Sequence, residues 1–128
     1  MSQENVEVVR RFTEAYRSGD FDAALENLAS EIHYEVGQEL PAREPDAVLG
    51  IWNRWEREWE ALGMTAEEYI AAGDRVVVDM RYRGQGRGSG IEVDDHLFEV
   101  HTLRGGKIVR KVEFKTRSEA LEAAGLRE

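Results

Sequence analysis

The sequence predicts an α+β fold, in which helices and a strand meander occupy separate parts of the chain. Two observations lead to this prediction. Apolar residues recur at helical spacing in the first half, around one short alternating segment, and alternate with a period of two from Thr65 onward. Glycine-containing turns separate the later segments, as is typical of antiparallel strands joined by hairpins. Because helices and strands are segregated, a parallel α/β sheet is not expected.

Three helices are predicted before the meander. The first is capped by Ser2, reaches about Ser18 and carries an apolar stripe that includes Phe12 and Tyr16. The second is short and covers 20–29. The third runs from about Asp46 to Leu62 and places all three tryptophans on one face, namely Trp52, Trp55 and Trp59. That face either packs on the sheet only, or also lends one indole to the wall of a pocket.

Five strands and a closing helix complete the prediction. The segment EIHYEV at 31–36 alternates and predicts a short strand. Four strands form the meander, at 65–73, 75–84, 90–103 and 107–116. A last helix follows them at 117–126. These elements predict one domain over residues 1–128, which is long enough for a single core.

Composition narrows the function classes. A hydrophobic fraction of 41% and a charged fraction of 34% fit a soluble globular protein. The net charge of −9 argues against nucleic acid as a partner, because phosphate binding needs cationic side chains. Arg81, Arg83 and Arg87 form a local exception. The glycines around them lack nucleotide-binding spacing, so a solvated hairpin tip is the better interpretation.

Cysteine is absent, which excludes disulfides and thiolate zinc sites and favours a reducing compartment. The apolar runs are only a few residues long, and the first residues lack the apolar segment of a secretory leader. We therefore expect a cytoplasmic protein without a membrane partner.

Three segments together resemble one family. The stretch VVRRFTEAYRSGDFDAALENLASEIHYE is similar to the start of nuclear-transport-factor-2-like domains, and AGDRVVV resembles the next signature of that family. The stretch LRGGKIVRKVEFKTRSEALEAAGL resembles the SnoaL-like branch. The resemblance implies a curved antiparallel sheet wrapped around a long helix, a cone shape with an internal cavity, and a homodimer. Members include isomerases, polyketide cyclases, epoxide hydrolases and proteins without a known activity.

The known catalytic sets of the family are only partly present. The positions of the ketosteroid isomerase tyrosine and first aspartate fall on Phe12 and Val36, and its second acid falls on Glu99. Two epoxide hydrolase positions fall on Tyr82 and Met80, and the third on Glu113. The cyclase histidine and aspartate fall on Glu99 and Glu113, with His101 as a substitute for the histidine. The resemblance therefore implies Glu113, Glu99 and His101 as the candidate catalytic residues.

Strand geometry gives these residues a predicted arrangement. A three-residue turn at 105–107 would place Glu99 opposite Glu113 and His101 opposite Lys111. Two carboxylates so close would repel, so that one keeps its proton near neutral pH, an effect that His101 or Lys111 would moderate. Periodicity alone would turn the apolar alternate residues of the last strand inward and Glu113 outward. The family alignment turns Glu113 inward, and both hold if the convex face is buried in a dimer.

The remaining pocket residues follow from alternation and from the family alignment. Met80 and Tyr82 share the apolar face of their strand, and Tyr82 would bring its hydroxyl near the mouth of the cone. The family alignment implies that Tyr34 lines the cavity, and Asp95 shares a strand face with Glu99. The predicted ligand-binding set is Tyr34, Tyr82, Met80, Trp52, Trp55 and Asp95.

No cofactor or metal is predicted, because His33, Asp95 and His96 lack metal-ligand spacing. One functional hypothesis is a cofactor-independent isomerase, cyclase or hydratase acting on a small apolar, polyketide-like or terpenoid-like molecule. Glu113 would move a proton, and Tyr34 or Tyr82 would donate a hydrogen bond. The other hypothesis is a non-catalytic ligand-binding or dimerisation domain.

Overall fold

The computed structural model describes residues 2–37 and 39–126. Four helices and five strands follow one another as α1 (Ser2–Arg17), α2 (Phe21–Leu25), β1 (Leu28–Glu35), α3 (Pro45–Glu58), β2 (Trp59–Ala72), β3 (Arg75–Gly86), β4 (Glu92–Arg104), β5 (Lys107–Phe114) and α4 (Arg117–Ala123). None of the helices in these ranges is long and apolar enough to cross a membrane.

The strands form one curled sheet in the order β1-β5-β4-β3-β2. The predicted meander is confirmed, since β2 to β5 pair antiparallel in chain order. Strand β1 joins the free edge of β5 in parallel, so the sheet is mixed at that edge. The α+β prediction is thereby confirmed.

Helices α1 and α3 fill the concave side of the sheet. Phe12 of α1 and Trp52 of α3 lie with their ring centroids 5.8 Å apart, and both belong to the core cluster that contains Val78 and Met80 of β3. The apolar stripe predicted for α1 is therefore its buried face. The predicted cap by the Ser2 side chain lies outside the part of the chain whose side chains are described.

The third helix ends earlier than predicted. It stops at Glu58, and Trp59 has the extended dihedrals φ −118° and ψ 140° and begins β2. Trp59 pairs with Gly86 and Glu60 with Gln85, at the far end of β3. The spacing of the apolar residues fits both a helix and a strand here, and the ladder with β3 overrides the helical preference.

The first strand begins earlier than predicted, and α2 is correspondingly shorter. Leu28 pairs with Ile108 of β5, and α2 ends at Leu25. Residues predicted as the last turn of a helix thus belong to the sheet edge, because only the partner strand supplies their hydrogen bonds.

Helix α4 covers part of the convex face. Its residues Ala120 and Leu121 pack with Val77 of β3 and Val100 of β4 in a second apolar cluster. The Thr116 hydroxyl caps this helix by accepting the backbone N–H of Glu119 at 3.2 Å.

Candidate active site

The β4–β5 hairpin brings the candidate catalytic residues together. Glu99 pairs with Glu113 and His101 with Lys111, in the predicted register. The turn itself was predicted wrongly, because it has two residues rather than three and Arg104 pairs with Lys107. Gly105 and Gly106 have φ values of 59° and 79°, and a type I′ turn needs positive φ at both central positions.

A bulge restores the predicted register beyond the turn. Leu103 pairs with Ile108, whereas Thr102 pairs with Arg110, so β5 contains one extra residue between these pairs. The bulge allows Ile108 to join the concave core while Lys111 and Glu113 also face inward. The conflict between apolar periodicity and an inward Glu113 is thereby resolved within one chain.

Lys111 lies at the centre of the buried polar cluster. Its Nζ atom lies 3.3 Å from Glu99 Oε2, 3.3 Å from Glu113 Oε2 and 3.4 Å from Tyr34 Oη. These three contacts use the three donors of an ammonium group. The side chains of Lys111 and Glu99 are only 3% and 4% exposed.

Tyr82 connects the two carboxylates from the neighbouring strand. Its hydroxyl lies 3.0 Å from Glu99 Oε2 and 3.1 Å from Glu113 Oε2. The hydroxyl therefore points into the cluster. Alternation alone had predicted that it would lie near the mouth of the cone. Glu113 receives one more donor, since the backbone N–H of Gly37 lies 3.2 Å from its Oε1 atom.

Electrostatics keep Glu99 ionised. Burial opposes the charged form, but the attraction of Lys111 and the hydrogen bonds from His101 and Tyr82 outweigh it and lower the pKa of Glu99 to about 2. The expectation of a protonated carboxylic acid is therefore wrong for Glu99. Burial likewise disfavours the ammonium of Lys111, but the attraction of Glu99 outweighs it and raises the pKa of Lys111.

His101 is a positioning residue for Glu99. Its Nε2 atom lies 2.9 Å from Glu99 Oε1, and burial lowers the pKa of His101, so the ring is neutral. An ionised carboxylate only accepts hydrogen bonds, so Nε2 carries the proton. The Nδ1 atom has no partner among the described residues.

Tyr34 and Trp52 form the second polar pair of the site. The indole Nε1–H of Trp52 donates to Tyr34 Oη at 3.0 Å, and Trp52 is 1% exposed. The ammonium of Lys111 lies 4.5 Å from the centroid of the Tyr34 ring, which adds a cation–π contact. Helix α3 thus reaches the polar cluster through one hydrogen bond.

Two cavities meet at this site. The inner one has a volume of about 20 Å³, which is room for about one water molecule, and is lined by Tyr34, Trp52, Met80, Tyr82, Glu99 and Lys111, among others. The outer one has a volume of about 400 Å³ and opens beside Trp59 and Arg87. Tyr16, Trp55 and Met64 line both cavities and separate them.

The structure brings most of the predicted ligand-binding residues together. Tyr34, Tyr82, Met80, Trp52 and Trp55 line the inner cavity, whereas Glu113 and His101 lie behind its wall. Asp95 lies apart from them. It is exposed, because the strand face that it shares with Glu99 no longer lies on the concave side of the sheet at this point. Its carboxylate accepts the backbone N–H of His96 at 2.8 Å.

Sequence reasoning missed two residues of the site and one residue that holds part of its wall in place. Lys111 was predicted only to moderate its neighbours, although its alternation with Glu113 in the segment KVEF placed it on the same face. Tyr16 was assigned to the core alone. Glu39 gave no signal, and it accepts hydrogen bonds from Arg54 and from Trp55 Nε1, the latter at 3.3 Å.

No three His, Asp or Glu side chains within the described ranges are grouped as a metal site would require. The polar cluster offers two carboxylates, but Lys111 already occupies the space between them. An ammonium and a metal cation would compete for the same oxygens, so the residues present do not fit a metal.

The comparison with known families gives one sequence match. The model of the SnoaL-like domain family matches residues 9–111, which include every residue of the inner cavity. No curated protein matches the chain.

Solved structures share the fold at low sequence identity. An NTF2-like protein from Burkholderia thailandensis is 23% identical with a TM-score of 0.82, over 86% of this chain and 88% of that one. A proposed polyketide cyclase from Xanthomonas campestris is 20% identical with a TM-score of 0.72, over 96% and 98%. TerC, co-crystallised with polyporic acid, is 16% identical with a TM-score of 0.78, over 95% and 98%. At these identities the likeness concerns the fold alone.

Proposed function

This chain belongs to the SnoaL-like domain family, and on that premise we propose that it binds a largely apolar small molecule in its cone and moves a proton on it without a cofactor. The observation that carries the proposal is the buried cluster of Glu99, Glu113 and Lys111 behind an aromatic cavity. Isomerisation, aldol-type cyclisation and hydration all fit such a set of groups.

The charge balance of the cluster favours a functional role. Two carboxyl groups, those of Glu99 and Glu113, contact the single ammonium of Lys111, so the buried cluster holds more acidic than basic side chains. Replacing buried ion pairs by apolar residues is often neutral or stabilising, so stability alone does not account for such a cluster. A site that takes up a proton or stabilises a cationic centre does account for it.

Glu113 is the carboxylate that we assign to proton transfer. Glu99 is a weak base because its pKa is lowered to about 2 by Lys111, His101 and Tyr82. Glu99 therefore holds Lys111 and Tyr82 in place. Glu113 accepts the backbone N–H of Gly37, two residues after β1, and its side chain is 8% exposed, twice the value for Glu99.

The ligand would enter through the outer cavity. A volume of about 400 Å³ suits a drug-sized molecule, whereas about 20 Å³ does not. Side-chain rearrangement of Tyr16, Trp55 and Met64 would merge the two spaces and bring the ligand to Glu99 on the wall of the inner cavity. Movement of the Tyr82 side chain, which lies against Glu113, would open that carboxylate to the ligand. The aromatic walls, and the polyketide cyclase proposed among proteins of this fold, support a polyketide-like or terpenoid-like ligand.

The small inner cavity favours a second candidate, a protein that holds a ligand at the mouth without turnover. The experiment is a panel of apolar ketones, enones and epoxides, assayed with wild type, Glu113→Gln and the exposed control Glu92→Gln. We expect product with wild type and with Glu92→Gln, and a loss of at least about 100-fold with Glu113→Gln. Equal turnover by all three proteins removes Glu113 as the acid–base group, and binding without product supports the second candidate.

We also propose a homodimer. Val112 and Phe114, together with Arg75 and Arg110, line a groove of about 390 Å³ on the convex face. A second copy could cover these apolar side chains. Light scattering of wild type and Val112→Asp tests this assignment, and a wild-type mass of one chain contradicts it.

A further inference from the structure

The mouth of the outer cavity is basic, although the protein as a whole is acidic. Arg17 at the end of α1 and Arg87 just after β3 both line this cavity, together with one acid, Glu56 of α3. The chain carries a net charge of −9, so this lining departs from the rest of the molecule. A concave basic lining attracts anions from solution.

Arg87 is fixed at the mouth with most of its donors unused. Its backbone N–H donates to the carbonyl oxygen of Glu58 at 2.9 Å, and its Nε atom donates to the carbonyl oxygen of Glu56 at 3.4 Å. Both carbonyls lie in the last turn of α3, where a cation is favoured. A guanidinium group has five N–H donors. None of the described side chains accepts a hydrogen bond from the two terminal nitrogens of Arg87, which are left for solvent or a ligand.

Arg17 is engaged only weakly. Its Nη1 atom lies 3.8 Å from Glu14 Oε1, and the two side chains are 55% and 60% exposed. An exposed ion pair at such a distance contributes little to stability, so a better acceptor can replace it. Arg17 therefore adds a second cation to the same mouth.

The inner end of the cone disfavours an anion. The pKa of Glu99 is lowered to about 2, so its carboxylate is charged. The three donors of the Lys111 ammonium are used by Glu99, Glu113 and Tyr34. A second carboxylate at that end would be repelled by Glu99 and would find no unused cation in the described lining of the inner cavity. A negatively charged ligand is therefore held with its charge outward.

Resting on the proposed small-molecule site, we infer that the ligand is an apolar carboxylic acid, whose carboxylate is bound at the mouth by Arg87 with Arg17 beside it. The planar guanidinium fork matches the two oxygens of a carboxylate. The apolar body lies between Trp55, Trp59 and Met64, and the neutral end points toward the inner cavity. Two basic side chains and one acidic side chain line the mouth, so one carboxylate balances them.

Two probes of equal size test the inference. 2-Naphthoate and 2-naphthamide have nearly the same shape, and only the first is charged at pH 7. Isothermal titration calorimetry at 50 mM and 300 mM NaCl measures binding to wild type, Arg87→Gln and the control Arg104→Gln. Arg104 is exposed, lines neither cavity and lies at the far end of β4 from the Gln85–Glu92 pair beside the mouth. Both variants change the net charge equally.

We expect wild type and Arg104→Gln to bind the acid about tenfold more tightly than the amide at 50 mM NaCl, and less selectively at 300 mM, because salt screens exposed charges. Arg87→Gln should weaken acid binding about fivefold and leave amide binding unchanged. An unchanged preference in Arg87→Gln, or equal binding of both probes by wild type, overturns the inference and leaves the proposed small-molecule site standing. Binding of neither probe by wild type removes the site and the inference with it.

A second variant covers the case in which Arg87→Gln disturbs the end of α3. Glu56→Gln removes the acid that lines the same mouth, and Glu56 is an exposed residue. We expect it to bind 2-naphthoate about threefold more tightly than wild type and 2-naphthamide equally well, because a repulsion between like charges is lost. Unchanged or weaker acid binding by Glu56→Gln would contradict a carboxylate at this mouth.

Discussion

Lys111 on β5 holds its ammonium 3.3 Å from a carboxylate oxygen of Glu99 on β4, one step diagonally across the antiparallel ladder, and both side chains are almost fully withdrawn from solvent. A diagonal cross-strand pair is within reach of a long side chain. The contact makes two carboxylates tolerable inside the cone, because the same ammonium also reaches Glu113 at 3.3 Å.

Removal of Lys111 should therefore destabilise the fold strongly. We expect Lys111→Met to lower the free energy of unfolding by about 3–5 kcal/mol, the usual result of leaving a buried charge without its partner. Urea denaturation at pH 7 measures this. The control is Lys115→Met, an exposed lysine just after the same strand, with an expected change within about 0.5 kcal/mol.

The double variant Lys111→Met with Glu99→Gln separates charge from packing. Because Glu99→Gln removes one of the carboxylates that Lys111 neutralises, the double variant should be more stable than Lys111→Met alone. A double variant that is less stable by the sum of the two single losses would show that no coupling exists between these side chains.

Stability should fall in acid because of Glu99. Its pKa is depressed in the folded state, from the ordinary 4.5 to about 2, so its contribution is complete above the unfolded value. The contribution decreases as the pH falls from about 4.5 toward about 2, since the unfolded chain binds the proton first. Unfolding free energies between pH 7 and 3 should show a shallower acid decline for Glu99→Gln. The exposed control Glu92→Gln should follow wild type, and an identical slope for all three proteins would contradict the assignment.

The pKa values of the three histidines should be shifted in different directions from the ordinary value of a histidine. The hydrogen bond from His96 Nδ1 to Asp79 Oδ1, at 2.8 Å, raises the pKa of His96 above 6.5. Burial lowers the pKa of His101 and of His33 below 6.5. NMR titration of the ring protons should therefore show His96 protonated to the highest pH. Asp79→Asn should move its midpoint back toward 6.5, and an unmoved midpoint would exclude Asp79 as the cause.

The β4–β5 turn should tolerate asparagine at one position and resist branched residues at the other. Both turn glycines have positive φ, and a Cβ atom at Gly105 meets nothing within 4 Å. Asn-Gly is a preferred type I′ pair, so Gly105→Asn should change stability by less than about 1 kcal/mol. Gly106→Val should cost more than about 1 kcal/mol, because a β-branched residue is strained at positive φ. Thermal unfolding compares the two, and equal losses would argue against this turn type.

Local sequence patterns were sufficient for most of the fold. The change of apolar period near Thr65 and the glycine turns predict the meander, because each antiparallel hairpin is fixed by residues adjacent in the chain. The end of α3 was not predictable in this way. Trp59 and Leu62 fit a helical stripe, and only the ladder between Trp59 and Gly86 decides for a strand.

The candidate site was predictable as a pairing but not as a cluster. Hairpin register alone places Glu99 opposite Glu113 and His101 opposite Lys111. It does not give the ionisation of Glu99, which depends on the ammonium of Lys111 and on a phenol from β3. Nor does it predict that Asp95 is exposed. Asp95 lies on the same face of β4 as the buried Glu99, but the strand extends beyond the core at the end that carries Asp95.

By itself, the sequence predicted that the two carboxylates face each other across the last hairpin, and this pairing holds because a bulge in β5 compensates for a turn that is one residue shorter than predicted. Tertiary structure alone decided the ionisation of Glu99 and the set of side chains that surrounds the two carboxylates. The physical reason is that charge and hydrogen-bond balance depend on groups distant in the chain: the Trp52 indole, the Tyr34 phenol and the Gly37 backbone N–H meet the hairpin only once the sheet has curled around its helices.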